Sequence, residues 1–210
     1  MKRHVALLLA LLLLFSLAAC GEKPAAPAPK QTLEPAQLTE EETRLAALLV
    51  ETTVPYLYDF TLGEDPKVES LHITLYTWKD GAWMSHSSDS TAFTDPDGRI
   101  ALDFDRLAEG LRTVLQSESH LNSGSTGTFE AEEALRTCVV STVTLPTSVN
   151  ITYEEEIPLV VQLYFTPAAE AEGRFVSPTL DLFAHPENLD TEQYQAAFAI
   201  TVRLSQKPLS

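Results

Sequence analysis

The chain has 210 residues, of which 44% are hydrophobic, and such a length is typical of one globular domain with a substantial core. Its formal net charge of −16 would repel nucleic-acid phosphates and anionic lipid headgroups. We therefore expect no nucleic-acid partner and no attachment to a membrane through a basic face.

The first twenty residues have the layout of a secretory signal peptide. Lys2 and Arg3 form a short positive segment, and an almost unbroken apolar run follows from Val5 to Leu17. This run of about 13 residues would be roughly 20 Å long as a helix, whereas a hydrocarbon core is about 30 Å thick. The run is therefore predicted to belong to a signal peptide rather than to a permanent membrane span.

Small residues lead directly from the apolar run to a cysteine. The resulting tetrapeptide Leu17-Ala18-Ala19-Cys20 closely resembles the lipobox of bacterial lipoproteins. The resemblance implies cleavage after Ala19, diacylation of the Cys20 thiol, and anchoring by this lipid on the extracytoplasmic face of the cell membrane. It covers residues 1–20 alone, and it fits a Gram-positive host and a two-membrane host equally well.

Residues 20–37 are predicted to form a tether between the lipid and the domain. Four prolines occur among alanines and a few polar residues, namely Pro24, Pro27, Pro29 and Pro35. This composition favours extended polyproline-like backbone with about 3.1 Å per residue, which gives a reach of up to about 50 Å. The expected organisation is a signal peptide at 1–19, the tether, and a single globular domain at 38–210.

The globular domain is predicted to open with a helix. Thr39 and Glu42 match a capping box, in which each side chain bonds the backbone N–H of the other residue. The helix must end before Pro55, since the residue that precedes a proline is excluded from helical backbone. Tyr56–Phe60 is predicted to be a short strand.

The clearest local pattern is a β-hairpin. Leu71–Trp78 alternates apolar residues with polar or amphipathic ones, Asp80-Gly81 is a strong turn signal, and Ala82–Ser88 returns. A two-residue turn would put Leu71, Ile73, Leu75, Met84 and His86 on one face of the hairpin. The same turn would put His72 and three aromatic residues on the other face.

Those three aromatic residues are the candidate binding site. In the two-residue register Trp78 faces Trp83 and Tyr76 faces Ser85, whereas a three-residue loop would shift the pairing and break up the cluster. Exposed tryptophan and tyrosine rings bind sugars, peptides or partner domains, because they offer flat apolar area at little entropic cost. Cross-strand aromatic pairs also serve as plain core packing, and this alternative stays open.

The middle of the chain is predicted to contain a second helix. Asp95–Gly98 suits a tight turn and Arg99–Leu102 a short strand, after which Asp103 is the expected N-cap. The apolar face of this helix would consist of Phe104, Leu107, Leu111, Val114 and Leu115. Asn122–Gly127 is predicted to be a mobile loop on composition.

The last third of the chain is rich in β-branched and aromatic residues between proline-marked breaks. The predicted strands are Leu135–Leu145, Val149–Tyr153, Pro158–Phe165, Thr179–Phe183 and Gln193–Leu204. With Cys20 acylated, Cys138 is the one remaining thiol, so we expect a small buried side chain and no disulfide. The expected fold is α+β, with one antiparallel sheet or two packed sheets and about two amphipathic helices.

The sequence contains no familiar catalytic signature and no recognisable metal motif. Aligning Gly98 with the glycine of an EF-hand puts Phe93 and Phe104 at positions that need acids. The histidines are too widely spaced for a typical zinc site, and Glu154–Glu156 is expected to be an exposed charged connection. We predict no catalytic residue, no metal and no cofactor.

The expected role is therefore non-catalytic binding in the cell envelope. The candidate binding residues are Tyr76, Trp78 and Trp83, and the candidate partners are an envelope protein or a glycan. Two alternatives stay open: an envelope hydrolase with unidentified carboxylate catalysts, and a structural scaffold without a ligand pocket.

Overall fold

The computed structural model of the chain describes residues 31–49, 56–63, 66–126 and 133–209. Within these ranges, eleven strands form two antiparallel sheets in a single domain, with short helices at the periphery. The fold is thus the mainly β form of the expected α+β class. The predicted signal peptide and Cys20 lie outside the described residues.

Sheet A has six strands, and each neighbouring pair is antiparallel. They are β1 (Thr32–Pro35), β2 (Tyr56–Thr61), β5 (Asp97–Asp103), β6 (Leu111–Gln116), β7 (Leu121–Thr126) and β9 (Val149–Asn150). Their order in space is β7, β6, β5, β2, β1, β9. The free edges of this sheet are therefore β7 and the two-residue strand β9.

Sheet B has five strands, again all antiparallel. They are β3 (Ser70–Lys79), β4 (Ala82–Ala92), β8 (Val140–Thr144), β10 (Ile157–Phe165) and β11 (Tyr194–Ser205). Their order in space is β4, β3, β11, β10, β8. The predicted hairpin thus forms one edge of this sheet, and β11 pairs directly with it.

Three short α-helices and two 3₁₀ turns connect the described strands. They are α1 (Glu40–Leu49), α2 (Glu133–Arg136), α3 (Pro167–Ala171) and the 3₁₀ turns Leu180–Phe183 and Pro186–Asn188. The capping box at the start of α1 is confirmed: the Thr39 N–H donates to Glu42 Oε2 at 2.8 Å, and the Glu42 N–H donates to Thr39 Oγ1 at 3.2 Å.

The two sheets pack face to face around the main core. Sheet A contributes residues such as Leu33 and Phe60, and sheet B contributes residues such as Leu71 and Ile200, all of them almost fully buried. A second, smaller core lies on the opposite face of sheet B, under the chain between β10 and β11. Because part of sheet B is covered on both faces, β10 and β11 carry near-continuous apolar runs.

Cys138, the cysteine of the described ranges, lies in the main core. Cys138 is a free, buried cysteine, as predicted, and its Sγ donates to the Ala134 carbonyl at 3.2 Å. Burial raises the pKa of this thiol above its usual value. A protonated, inaccessible thiol is inert, so Cys138 contributes to packing rather than to chemistry.

The predicted helix from Asp103 to Leu115 is wrong. Leu111–Gln116 is strand β6, and the residues before it form a loop that is bonded to β10. The fully buried Gln162 accepts from the Leu107 N–H at 2.7 Å and donates to the Asp105 carbonyl at 3.1 Å. In a helix the Leu107 N–H would donate to the Asp103 carbonyl and the Asp105 carbonyl would accept from the Glu109 N–H. Here the side chain of Gln162, distant in sequence, binds both groups instead.

The predicted loop at Asn122–Gly127 is also wrong for its described part, because Leu121–Thr126 is strand β7. Gly124 lies inside this strand against the carboxylate of Asp89, which would have to move to make room for a Cβ at this position. Gly98 in β5 also has a close neighbour, since a Cβ there would lie 2.7 Å from Phe60 Cζ in the core.

Three of the five strands predicted in the last third need correction. Thr179–Phe183 contains a 3₁₀ turn, Leu135–Leu145 begins as helix α2 before β8, and Val149–Tyr153 shortens to the two residues of β9. The predictions at Pro158–Phe165 and Gln193–Leu204 are confirmed as β10 and β11. Strands β10 and β11 are the most deeply buried strands of this part of the chain, and they have the longest apolar runs.

Strand β1 lies inside the stretch that was predicted to be a tether. Leu33 is fully buried and pairs with Phe60 on one side and Val149 on the other. Pro35 is accommodated because it is the last residue of its strand. The folded domain therefore includes residue 32, and the predicted boundary at 37 is too late.

Candidate functional site

The hairpin of β3 and β4 has a two-residue turn at Asp80-Gly81, which is one of the two registers that the sequence leaves open. Trp78 pairs with Trp83 and Tyr76 pairs with Ser85. Asp80 and Gly81 both have positive φ, at 52° and 83°, as a type I′ turn requires. The predicted aromatic cluster is therefore present on one face of the hairpin.

A bulge interrupts the hairpin beyond Ser85, because Tyr76 pairs with Ser85 whereas the preceding Leu75 pairs with Ser87. Leu71, Ile73 and Leu75 face the main core as predicted. Met84 does not join them: it pairs with Thr77 near the tip of the hairpin, and its side chain is 55% exposed.

The three aromatic residues are half-buried against the chain that crosses sheet B. The ring of Phe183 makes an edge contact with Tyr76, with centroids 5.1 Å apart, and lies 5.7 Å from Trp83. The Trp83 indole N–H donates to the Leu182 carbonyl at 3.1 Å. Core packing accounts for these contacts, so the part of the cluster open to a partner is smaller than the sequence suggests.

The same face of sheet B becomes polar towards the start of β3. The Tyr76 hydroxyl donates to Glu156 Oε1 at 3.3 Å, and Thr201 on β11 donates to the other oxygen of this carboxylate. Arg203 Nε lies 3.6 Å from Glu156 Oε1. Glu156 therefore joins the aromatic half of the face to its polar half.

Glu154 is held in the same way. Its carboxylate accepts from Ser205 Oγ at 2.9 Å and from the Gln206 N–H at 2.8 Å. These bonds, with nearby Lys207, keep the pKa of Glu154 below its usual value. The prediction of an exposed charged connection at Glu154–Glu156 is therefore wrong for Glu154, as it is for Glu156, because both side chains are tied to β11.

His72 lies at the centre of the polar half, between two serines. Its Nδ1 is 2.7 Å from Ser90 Oγ, and its Nε2 is 3.0 Å from Ser70 Oγ. Ser70 uses its one proton to donate to the Lys207 carbonyl at 2.7 Å. Ser70 must then accept from Nε2–H, which leaves Nδ1 of the imidazole as the acceptor for the Ser90 hydroxyl.

Burial is the main cause that lowers the pKa of His72, and the positive charge of Arg203 lowers it further. Glu156 and Glu154 act in the opposite direction with smaller effects. The balance favours a neutral imidazole at neutral pH, which is the form that accepts a proton.

These groups border a cavity of about 380 Å³. Its lining consists of Ser70, His72, Ser90, Glu154, Arg203, Ser205, Lys207, Pro208 and Leu209. The sequence reasoning placed His72 beside the aromatic residues but missed its partners. The reason is the bulge, since the uninterrupted register would have placed Asp89, not Ser90, opposite His72.

A second polar cluster lies at the turn between β6 and β7. The carboxylate of Asp95 accepts from Ser117, from the N–H and hydroxyl of Ser119, each at 3.0 Å, and from His120 Nδ1 at 3.2 Å. The hydrogen bonds from Ser117 and Ser119 contribute most to a pKa of Asp95 well below its usual range. The bonds converge on the carboxylate and close the turn, so this cluster stabilises the fold.

A broader groove of about 460 Å³ lies on the outer face of sheet A. Its central charges are already paired, because Arg99 donates to both oxygens of Asp59, at 2.6 and 2.9 Å. Among the described residues no group of three or more metal-ligating side chains could hold a metal ion. None of the helices in the described ranges is long and apolar enough to cross a bilayer.

Comparison of the chain with protein-family models, curated proteins and solved structures finds no match. The chemistry of the outer face of sheet B is therefore the basis for a functional proposal.

Proposed function

We propose that the protein is a lipid-anchored module of the cell envelope whose hairpin tip binds a partner without catalysis. Cys20 carries the lipid, and the candidate partners are an envelope protein or a glycan. The observation that carries the proposal is the position of the aromatic hairpin, at the end of the domain opposite the point where the tether would enter.

The entry point is the start of β1. Thr32 pairs with Thr61 and Asn150 at one end of sheet A. The same end of the domain holds the start of β3 and the end of β11, since the Glu69 N–H donates to the Ser205 carbonyl and the Phe93 N–H to the Glu69 carbonyl. Phe93 in turn packs on Phe60 of sheet A, with ring centroids 5.3 Å apart.

From this end β3 runs away towards the turn at Asp80-Gly81. A ten-residue strand spans about 33 Å, so the tip of the hairpin lies roughly that far from the entry point. The tether from Cys20 to Thr32 adds up to about 37 Å when it is extended. The hairpin tip can therefore reach roughly 70 Å from the lipid.

The tip also provides apolar contact area. Met84 is 55% exposed on one face of the hairpin tip, and Trp78 and Trp83 are half-buried on the other face. A partner that grips the tip of the hairpin could therefore contact the exposed methionine on one face and the aromatic rings on the other. Support for anchoring comes from the lipobox resemblance, and support for binding comes from this surface.

The anchoring part is tested with Cys20→Ser. We expect the wild-type chain to incorporate an alkyne-labelled fatty acid and to sediment with membranes, and the variant to lose both properties. Continued fatty-acid labelling of Cys20→Ser would contradict the assignment of this cysteine.

The binding part is tested by photo-crosslinking in cells, with a benzophenone amino acid at position 84. The control position is Leu121, which is 78% exposed and lies at the opposite end of the domain. We expect a specific crosslinked product from position 84 and none from position 121. Co-sedimentation with purified peptidoglycan sacculi tests the glycan partner, and Met84→Glu should weaken it whereas Leu121→Glu should not.

Equal behaviour of the two positions in both assays would overturn the hairpin tip as the binding surface. Such a result would favour the scaffold alternative.

A further inference from the structure

The polar half of the outer face of sheet B contains an arrangement that binding alone does not require. Ser90 belongs to the edge strand β4, and its exposed side chain borders the cavity. Its Oγ lies 2.7 Å from Nδ1 of His72 on the neighbouring strand β3. His72 is itself oriented from behind by Ser70, which is bonded to the Lys207 carbonyl. A hydroxyl, a base and an orienting group are thus arranged in sequence.

We propose that Ser90 is a nucleophile towards short-chain carboxylic esters, with His72 as its general base and Ser70 as a positioning residue. The inference does not depend on the binding role at the hairpin tip, since the two sites use different residues. It replaces the unidentified carboxylates of the hydrolase alternative with a serine–histidine pair.

The chemistry follows from the direction of the hydrogen bonds. Ser90 Oγ attacks the ester carbonyl carbon and forms a new C–O bond, while its proton passes to Nδ1 of His72. When the tetrahedral intermediate collapses, the bond to the leaving alkoxide breaks and the alkoxide takes the proton from Nδ1. Water then attacks the acyl-serine with His72 again as base, which releases the carboxylic acid and restores the Ser90 hydroxyl.

The cavity has charges that suit this reaction. Arg203 and Lys207 both line it, and positive charge stabilises the negative oxygen of a tetrahedral intermediate. Glu154 also lines it, but its carboxylate is already bonded to Ser205 and Gln206. A volume of about 380 Å³ accommodates a small acyl group and its alcohol.

The neighbouring serine provides a matched control. Ser88 Oγ lies 3.4 Å from Ser90 Oγ on the same face of β4, and it also contacts Thr74, at 3.2 Å. A reagent that modified any exposed serine on this strand would therefore modify both. The proposed mechanism selects Ser90.

The test uses the full chain, purified in detergent, and two probes: a fluorophosphonate and p-nitrophenyl acetate. Mass spectrometry of the fluorophosphonate-treated protein is expected to find the adduct on Ser90. Ser90→Ala should abolish labelling and ester hydrolysis, and Ser88→Ala should retain both. His72→Gln should slow labelling by at least about 100-fold, the usual contribution of a general base.

Ser70 is tested through the tautomer of the imidazole, which a purely structural role would not change. Nitrogen NMR of the histidine ring is expected to find the proton on Nε2 in the wild type and a mixture of tautomers in Ser70→Ala. This measurement also stands if His72→Gln fails to fold.

Three results would each overturn the proposal. They are no adduct on Ser90 in the wild type, an adduct that forms equally fast in a folded His72→Gln variant, and a wild-type imidazole protonated on Nδ1.

Discussion

The substitution Gln162→Leu tests what holds the loop before β6 in place. The side chain of Gln162 is fully buried and makes four hydrogen bonds. Its Oε1 accepts from the Leu107 N–H at 2.7 Å and from the Tyr164 hydroxyl at 2.8 Å. Its Nε2 donates to the Asp105 carbonyl at 3.1 Å and to Thr142 Oγ1 at 3.0 Å.

Leucine has a similar size, so the cost of the substitution is the loss of partners rather than a cavity. The buried Leu107 N–H and the buried Tyr164 hydroxyl would each lose a partner, and an unpaired buried group costs about 1–3 kcal/mol; the part-buried Asp105 carbonyl would lose its partner as well. We expect the free energy of unfolding to fall by about 3–5 kcal/mol, a large share of the usual 5–15 kcal/mol. For a domain of this size the melting temperature should fall by roughly 10 °C.

Tyr164→Phe is the matched control. It removes one hydroxyl, which also accepts from the Ala108 N–H at 3.0 Å, but it leaves both bonds of Gln162 to the loop backbone. Its expected cost is about 1–2 kcal/mol. Urea unfolding, followed by far-ultraviolet circular dichroism, measures both variants and the double variant.

A loss below about 1 kcal/mol for Gln162→Leu would refute the reasoning, because the loop would then not depend on these bonds. A cost equal to that of Tyr164→Phe would likewise assign the effect to the hydroxyl alone.

Three further variants test other parts of the fold. Asp95→Asn should lower the urea midpoint at pH 7, because Asp95 is stabilised in its charged form. The difference in stability between this variant and the wild type should be complete above the ordinary carboxyl pKa of about 4. It should shrink as the pH falls from there towards the lower pKa of Asp95 in the folded protein. A difference in stability that does not depend on pH would contradict this. Gly98→Ala should lower the free energy of unfolding by about 1–3 kcal/mol, since the new Cβ would meet the buried ring of Phe60. Gly124→Ala should lower it less, because the obstructing atom is the end of the Asp89 side chain, which can move. Equal costs in thermal unfolding would contradict this expectation. Phe183→Ala should shift tryptophan emission to longer wavelength and increase acrylamide quenching, and an unchanged spectrum would mean that this ring does not cover the cluster.

The elements that the sequence predicted correctly are those whose signals are local. The capping box at Thr39 and Glu42 involves residues three apart, and the hairpin turn at Asp80-Gly81 involves two adjacent residues. Strands β10 and β11 were predictable because burial on both faces makes their apolar runs long.

The second predicted helix shows where local patterns are ambiguous. The apolar residues from Phe104 to Leu115 have a spacing compatible with a helix. In the structure, however, Leu111, Thr113 and Leu115 belong to strand β6 and point from it into the core of the domain. A buried threonine conceals the alternation of a strand, and Gln162, more than fifty residues away in sequence, binds the backbone of the loop. Strand β1 was missed for a similar reason, since its partners lie in β2 and β9.

The sequence by itself determined the acidic character of the chain, the lipobox resemblance at Cys20 and the hairpin turn at Asp80-Gly81. Of the two hairpin registers that the sequence left open, the structure selected the one that pairs Trp78 with Trp83. Only the tertiary structure decided that Phe183 covers part of that cluster and that Ser90 faces His72. The physical reason is that a one-residue bulge changes which side chains face each other across a hairpin. The groups that surround His72 come from β4, β11 and the chain after β9, and they meet only when the strands of sheet B pair.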